Sequence, residues 1–147
     1  MRGTGIAQID RLYLQVPAQY SATRQAFTES LIASGVDVVS LDSDASSDVL
    51  QVAVNDERSF RRPISTSAAI DAAEYELLVE IDISVSKAGD LLLDNATLSS
   101  SRVYSVDTIN LSASYEEQNL LLGEIRTEIA RHMIRRVEAI AISVAVP

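Results

Sequence analysis

Leu12, Leu14 and Val16 alternate with Tyr13 and Gln15, the period of a half-buried strand, and Pro17 breaks the pattern. Ser21 or Thr23 is placed to cap a helix running to about Ser34, in which Phe27 and Leu31 form an i, i+4 pair flanked by Ala26 and Ile32. Gly35 stands where a helix C′ glycine is expected, and a second strand follows over residues 36–41. This strand–helix–strand unit predicts two parallel strands joined by a right-handed crossover.

The stretch 42–48 (DSDASSD) is polar and acidic and reads as a loop, after which residues 49–55 resume alternation. The clearest strand is 74–86. Its odd positions, Tyr75, Leu77, Val79, Ile81, Ile83 and Val85, are apolar, while Glu74, Glu76, Glu80 and Asp82 make the other face acidic, with Leu78 as the exception. Such a strand is about 44 Å long at about 3.4 Å per residue, long enough to protrude beyond its helical cover. Lys87-Ala88-Gly89-Asp90 predicts a hairpin turn, with a Ser- and Thr-rich return strand over 91–106.

The last element is predicted as a helix over 114–137. Ser114-Tyr115-Glu116-Glu117 has the form of a capping box, and Leu121, Leu122, Ile125, Ile129, Met133 and Val137 recur at helical spacing. Acids early (Glu116, Glu117, Glu124) and bases late (Arg131, Arg135, Arg136) suit the helix dipole. The apolar tail 139–146 reads as a short strand or a segment that docks on a partner. Helices on one face of a mixed sheet make an α+β two-layer domain.

The length of 147 residues suits a single domain over 1–147, and 47% hydrophobic residues give it enough apolar material for a core. With no cysteine and one histidine, His132, a Cys/His zinc site and a catalytic cysteine are excluded. The net charge of −9 argues against nonspecific nucleic-acid binding, which basic charge drives. No run reaches the length of a membrane span, and Met1-Arg2-Gly3-Thr4-Gly5 has no apolar signal core. A cytosolic protein reads this way, and so does a chain whose signal was replaced by an initiating Met.

Candidate chemistry is sparse. His132 lacks a nucleophile and an orienting acid at any suggestive spacing, so a hydrolase is a remote reading. Asp42, Asp44 and Asp48 look like a calcium loop, but Ser47 and Ala53 stand where it needs Gly and Glu. Gly3-Thr4-Gly5 follows no strand and is no phosphate loop. The row Glu74, Glu76, Glu80 and Asp82 reads as a solvated sheet face. Neither a metal nor a cofactor is expected. Against the acidic background one run stands out: Arg58-Ser59-Phe60-Arg61-Arg62-Pro63, read as three arginines and an aromatic at a strand end. Arginine offers paired donors to phosphate or carboxylate. A hairpin rim whose arginines pair with neighbouring acids accounts for the same residues. Arg102 in the following strand lies near the group if the strands pair.

The order of these elements resembles the soluble part of the LptE (RlpB) family, the lipopolysaccharide-assembly lipoproteins of the Gram-negative outer membrane. Arg2-Gly3-Thr4-Gly5 resembles the end of the family's first segment. Ser34-Gly35-Val36, Phe60-Arg61, Ala73-Glu74-Tyr75-Glu76, Arg102-Val103-Tyr104, Glu117-Gln118-Asn119 and Ile134-Arg135-Arg136 follow in family order, from Arg2 to about Ile140.

The resemblance implies two helices against a mostly four-stranded mixed sheet and a non-enzymatic role. That role is a plug inside the β-barrel protein LptD, in a one-to-one complex that supports barrel assembly and contacts lipopolysaccharide. It implies a lipopolysaccharide contact at Arg61 (or Arg62) and another at Arg102; given that ligand, the arginine run adds Arg58 as a further guanidinium for phosphate and Phe60 as an apolar contact for acyl chains. A family lysine ahead of the last helix falls near Ser114, which departs from the pattern. The lipidated cysteine is absent from this chain, so the implied outer-membrane anchor on the periplasmic side would lie upstream of Met1. The rival expectation is a generic periplasmic α+β interaction module without a lipid ligand.

Overall fold

The computed structural model describes residues 9–39, 49–66, 72–107 and 111–145. The elements are β1 (Arg11–Gln15), a short 3₁₀ turn (Ala18–Tyr20), α1 (Ser21–Ala33), β2 (Asp37–Val39), β3 (Leu50–Thr66), β4 (Ala72–Lys87), β5 (Asp90–Asp107) and α2 (Leu111–Ala145). The five strands form one mixed sheet in the order β2-β1-β3-β4-β5. β1 is parallel to β2 and to β3, and β3, β4 and β5 form an antiparallel meander. The expectation of mostly four strands is corrected to five, the fifth being the three-residue β2 at one edge. Residues 42–48, with Asp42, Asp44 and Asp48, and the Gly3-Thr4-Gly5 segment lie outside the described residues.

Local chemistry explains the boundaries. Gly35, at φ 87, ends α1. The N–H of Val36 donates to the Leu31 carbonyl at 2.9 Å and that of Gly35 to the Ile32 carbonyl at 3.0 Å, a Schellman closure. Its apolar seal is Leu31 against Val36, both 1% exposed. The β4–β5 turn places Ala88 and Gly89 at φ 56 and 82, the backbone of a two-residue hairpin loop that follows the sheet twist.

Three expectations change. The helix α1 has no side-chain cap; Thr23 is instead fully buried and donates its hydroxyl to Glu57. The helix α2 begins at Leu111, so the Ser114–Glu117 pattern lies inside it rather than at its cap. It also continues through the apolar tail to Ala145, because no Gly or Pro interrupts residues 138–145. Arg131, Arg135 and Arg136 therefore stand well before the helix end, outside the last turn where the dipole acts.

Both helices pack on one face of the sheet. The odd residues of β4 from Leu77 to Val85 meet Phe27 and Leu31 of α1 and Ile125, Ile129, Met133 and Val137 of α2 in one core. Each such side chain contributes about 1.5–3 kcal/mol by leaving water. No helix among the described residues is long and apolar enough to cross a membrane.

Candidate functional site

A bulge in β3 decides where the arginines go. Val52 and Val54 pair with Val85 and Ile83 on the covered face. Asn55 is then an extra residue, and the register resumes at Asp56 opposite Asp82. Directly paired residues share a face. Glu57, Ser59 and Arg61, opposite Ile81, Val79 and Leu77, therefore join the helix-bearing face. Arg58, Phe60 and Arg62, opposite Glu80, Leu78 and Glu76, lie on the other face. The run is not at a strand end, since β3 continues to Thr66, and it is not one cluster.

Arg58 is held by three carboxylates. It donates to Asp56 at 2.7 Å, to Glu80 at 3.2 Å and to both Asp82 oxygens at 2.9 and 3.0 Å. Thr97 adds a hydroxyl donor to Asp82 at 2.7 Å, and Tyr20 one to Asp56 at 3.0 Å. Hydrogen bonding by Arg58, then by Thr97, holds the Asp82 carboxyl below its usual range, and Arg58, then Tyr20, does so for Asp56. In return Asp82 first, then Asp56 and Glu80, hold the Arg58 proton more tightly. Arg62 reaches Glu76 at 2.6 Å from a largely exposed position, a geometry of little net stability. Phe60 is 47% exposed beside this pair. The acidic row of β4 is thus largely answered by β3 arginines. Among the described residues no group of acids or histidine is placed to hold a metal ion.

Arg61 differs. Its guanidinium stacks over the Tyr75 ring, 4.4 Å from the centroid. Among the described residues it forms no ion pair. Tyr75 lies beside Tyr104, with ring centroids 6.1 Å apart, and the Tyr104 hydroxyl donates to Gln118 of α2 at 3.1 Å. Arg61, Tyr104, Val106, Ser114, Tyr115 and Gln118 line a pocket of about 200 Å³ between the sheet and the first turns of α2. Arg102 shares this face, since Leu77 pairs with Arg61 on one side and with Arg102 on the other. Two strand spacings put the two backbones about 10 Å apart. Arg102 approaches Glu124 at 3.7 Å.

The structure therefore joins Arg61 and Arg102 across Leu77 and separates them from Arg58, Phe60 and Arg62. Sequence reasoning passed over Tyr75, Tyr115 and Gln118 as site residues. No local signal marked Tyr75 and Tyr104, because their cross-strand pairing beside Arg61 depends on register shifts near the β4–β5 turn. His132 stands 3.3 Å from Glu128 on the same helix and hydrogen-bonds no serine or threonine among the described residues.

The fold has solved counterparts. The crystal structure of the rare lipoprotein B from Shewanella oneidensis superposes with a TM-score of 0.76 at 22% identity, covering 92% of this chain and 98% of that one. A minor lipoprotein from Acinetobacter baumannii gives 0.71 at 18% identity, covering 88% and 91%. The solution structure of an uncharacterized lipoprotein B from Nitrosomonas europaea gives 0.69 at 18% identity, covering 99% and 92%. No curated protein matches the chain significantly. At these identities the likeness establishes the fold alone. The sequence model of one family, LptE, described as lipopolysaccharide-assembly, matches residues 9–137, and the chain belongs to that family.

Proposed function

We propose that the chain is a non-enzymatic subunit of outer-membrane lipopolysaccharide assembly. In this reading it occupies the LptD β-barrel one-to-one, assists the assembly of that barrel and binds lipopolysaccharide on its way to the outer leaflet. It works from the periplasmic side, held to the outer membrane by an N-terminal lipid anchor.

The observation that carries the reading is Arg61. In an acidic domain whose neighbouring arginines are occupied by carboxylates, its guanidinium lies over a tyrosine beside a pocket between sheet and helix. Guanidinium groups bind phosphate through charge-assisted, paired hydrogen bonds. Aromatic rims suit sugar and acyl surfaces. Arg61 and Arg102 are the principal contacts for the lipid A phosphates. Phe60 and Arg62 offer an apolar and a cationic contact on the opposite face of the same stretch. Arg58 contributes by holding that stretch of strand in register.

Co-expression with the cognate LptD tests the function. A stable one-to-one complex that carries lipopolysaccharide supports the proposal. Failure to co-purify favours a periplasmic interaction module without a lipid ligand.

A further inference from the structure

The strand β5 ends the sheet, and among the described residues no strand lies on its far side. Edge strands are normally shielded by shortness, Pro, Lys or bulges. β2, at the other edge, is short, with three residues. β5 has 18 residues, and its sequence holds neither Pro nor Lys. Its pairing with β4 is regular from Ala96 to Asp107, with the irregularities confined to the turn end of the ladder. Every second residue of such an edge turns its N–H and C=O outward, unmatched by a neighbour.

Beside this open edge runs a groove of about 390 Å³, lined by Thr97, Leu98 and Ser99 of β5 and by His132, Arg135 and Arg136 of α2. Arg135 and Arg136 are exposed and form no ion pair among the described residues. The nearby acid Glu128 is already engaged by Arg131 at 3.4 Å and faces His132 at 3.3 Å. These arginines lie too far from the end of α2 to serve its dipole. They form a basic wall along an open strand, in a chain of net charge −9.

We propose that β5 is a docking edge for an extended acidic polypeptide segment, which adds as a further strand and directs alternate carboxylates at Arg135 and Arg136. Backbone pairing supplies the affinity and alternate side chains the selectivity. An added strand points every second side chain toward the helix-bearing side, where the arginines stand. The other side chains lie level with Thr97, Ser99 and Ser101, so small polar or β-branched residues fit there. A second copy of β5 is a poor occupant, because its own Arg135 and Arg136 would add like charge to the same edge.

The probe is a short capped peptide in which Glu alternates with Val and Thr, with a Lys-for-Glu version as control. Amide exchange and chemical shifts of the intact chain are followed by NMR. The expected result is slowed exchange confined to β5 amides within residues 96–102, no effect of the Lys peptide, and affinity lowered about tenfold or more by Arg135→Glu with Arg136→Glu. The Arg135→Lys, Arg136→Lys variant retains most of the binding. Both positions are exposed, so these variants fold. The proposal is overturned if the Glu peptide leaves β5 exchange unchanged or if the Glu variant binds it as well as the parent chain. It is also overturned if inorganic phosphate or lipopolysaccharide shifts the groove signals while the peptide does not, or if β5 protection follows protein concentration alone.

Discussion

Arg61 lies over the ring of Tyr75 on the helix-bearing face, while Arg62, the next residue, pairs with Glu76 on the opposite face. Two adjacent arginines thus have separate environments. One stacks on an aromatic and forms no ion pair among the described residues, and the other is bound to a carboxylate. Strand alternation separates the two, and the bulge at Asn55 decides that Arg61, not Arg62, faces the helices.

The same reversal carries Glu57 beneath the helices. Arg126 of α2 reaches one Glu57 oxygen at 3.2 Å, and the buried Thr23 of α1 donates to the other. The two side chains of the ion pair are 9% and 21% exposed, so the pair is largely removed from water. Removing one member of such a pair leaves the other poorly satisfied. Arg126→Ala is expected to cost about 2 kcal/mol. That lowers the melting temperature by roughly 5 °C. Glu57→Gln, which can still accept from Thr23, is expected to cost less. Thermal unfolding followed by circular dichroism checks both.

The Arg58 cluster gives a pH signature. Asp56 and Asp82 have folded pKa values below their usual range because Arg58 hydrogen-bonds both. A depressed folded pKa contributes stability above the unfolded value, near 4, and that contribution is lost as pH falls through the folded value. The parent chain should therefore hold its stability from pH 7 to about 5 and lose it below about 4. Arg58→Met leaves Asp56 and Asp82 side by side without their shared cation, which raises the folded pKa values of these two aspartates. For raised values the sign inverts, and stability falls as pH rises. Urea midpoints at pH 5 and 7 should then rank pH 5 above pH 7 in the variant. An unchanged order in Arg58→Met contradicts the assignment.

Two glycines should respond with opposite signs. At both Gly35 and Gly123 an added Cβ meets nothing within 4 Å, so sterics do not decide. Gly35 sits at φ +87, where Ala is strained, and Gly35→Ala should cost about 1 kcal/mol. Gly123 is an exposed position inside α2, and Gly123→Ala should stabilise by about 0.5–1 kcal/mol. Denaturant titration of the two variants reads both signs.

The fold was legible where the period stayed in phase. The residues Tyr75, Leu77, Val79, Ile81, Ile83 and Val85 announce both β4 and its covered face, and Gly35 announces the end of α1. The site was legible only as composition. Three arginines were visible and strand alternation divides them, but which of them joins the helix-bearing face depends on one extra residue at Asn55, and no local pattern marks a bulge there. The length of α2 was hidden for another reason. Residues 140, 142 and 144 alternate as in a strand, yet a helix already nucleated continues through them, with Ile140 and Ala141 packed against the core. The cross-sheet meeting of Arg61, Leu77 and Arg102 needed register, which is set by long-range pairing and not by local propensity.

The most direct test of the proposed binding face is retention of purified lipopolysaccharide by the immobilised chain at fixed ionic strength. The Arg61→Glu, Arg102→Glu double variant is compared with Arg62→Glu and the parent. Loss of a charge-assisted contact to phosphate costs about 1.5–3 kcal/mol, or roughly tenfold or more in affinity. At least that loss is expected for the double variant, with Arg62→Glu retaining most of the binding. Undiminished retention by the double variant, or an equal loss in Arg62→Glu, would contradict the proposed face.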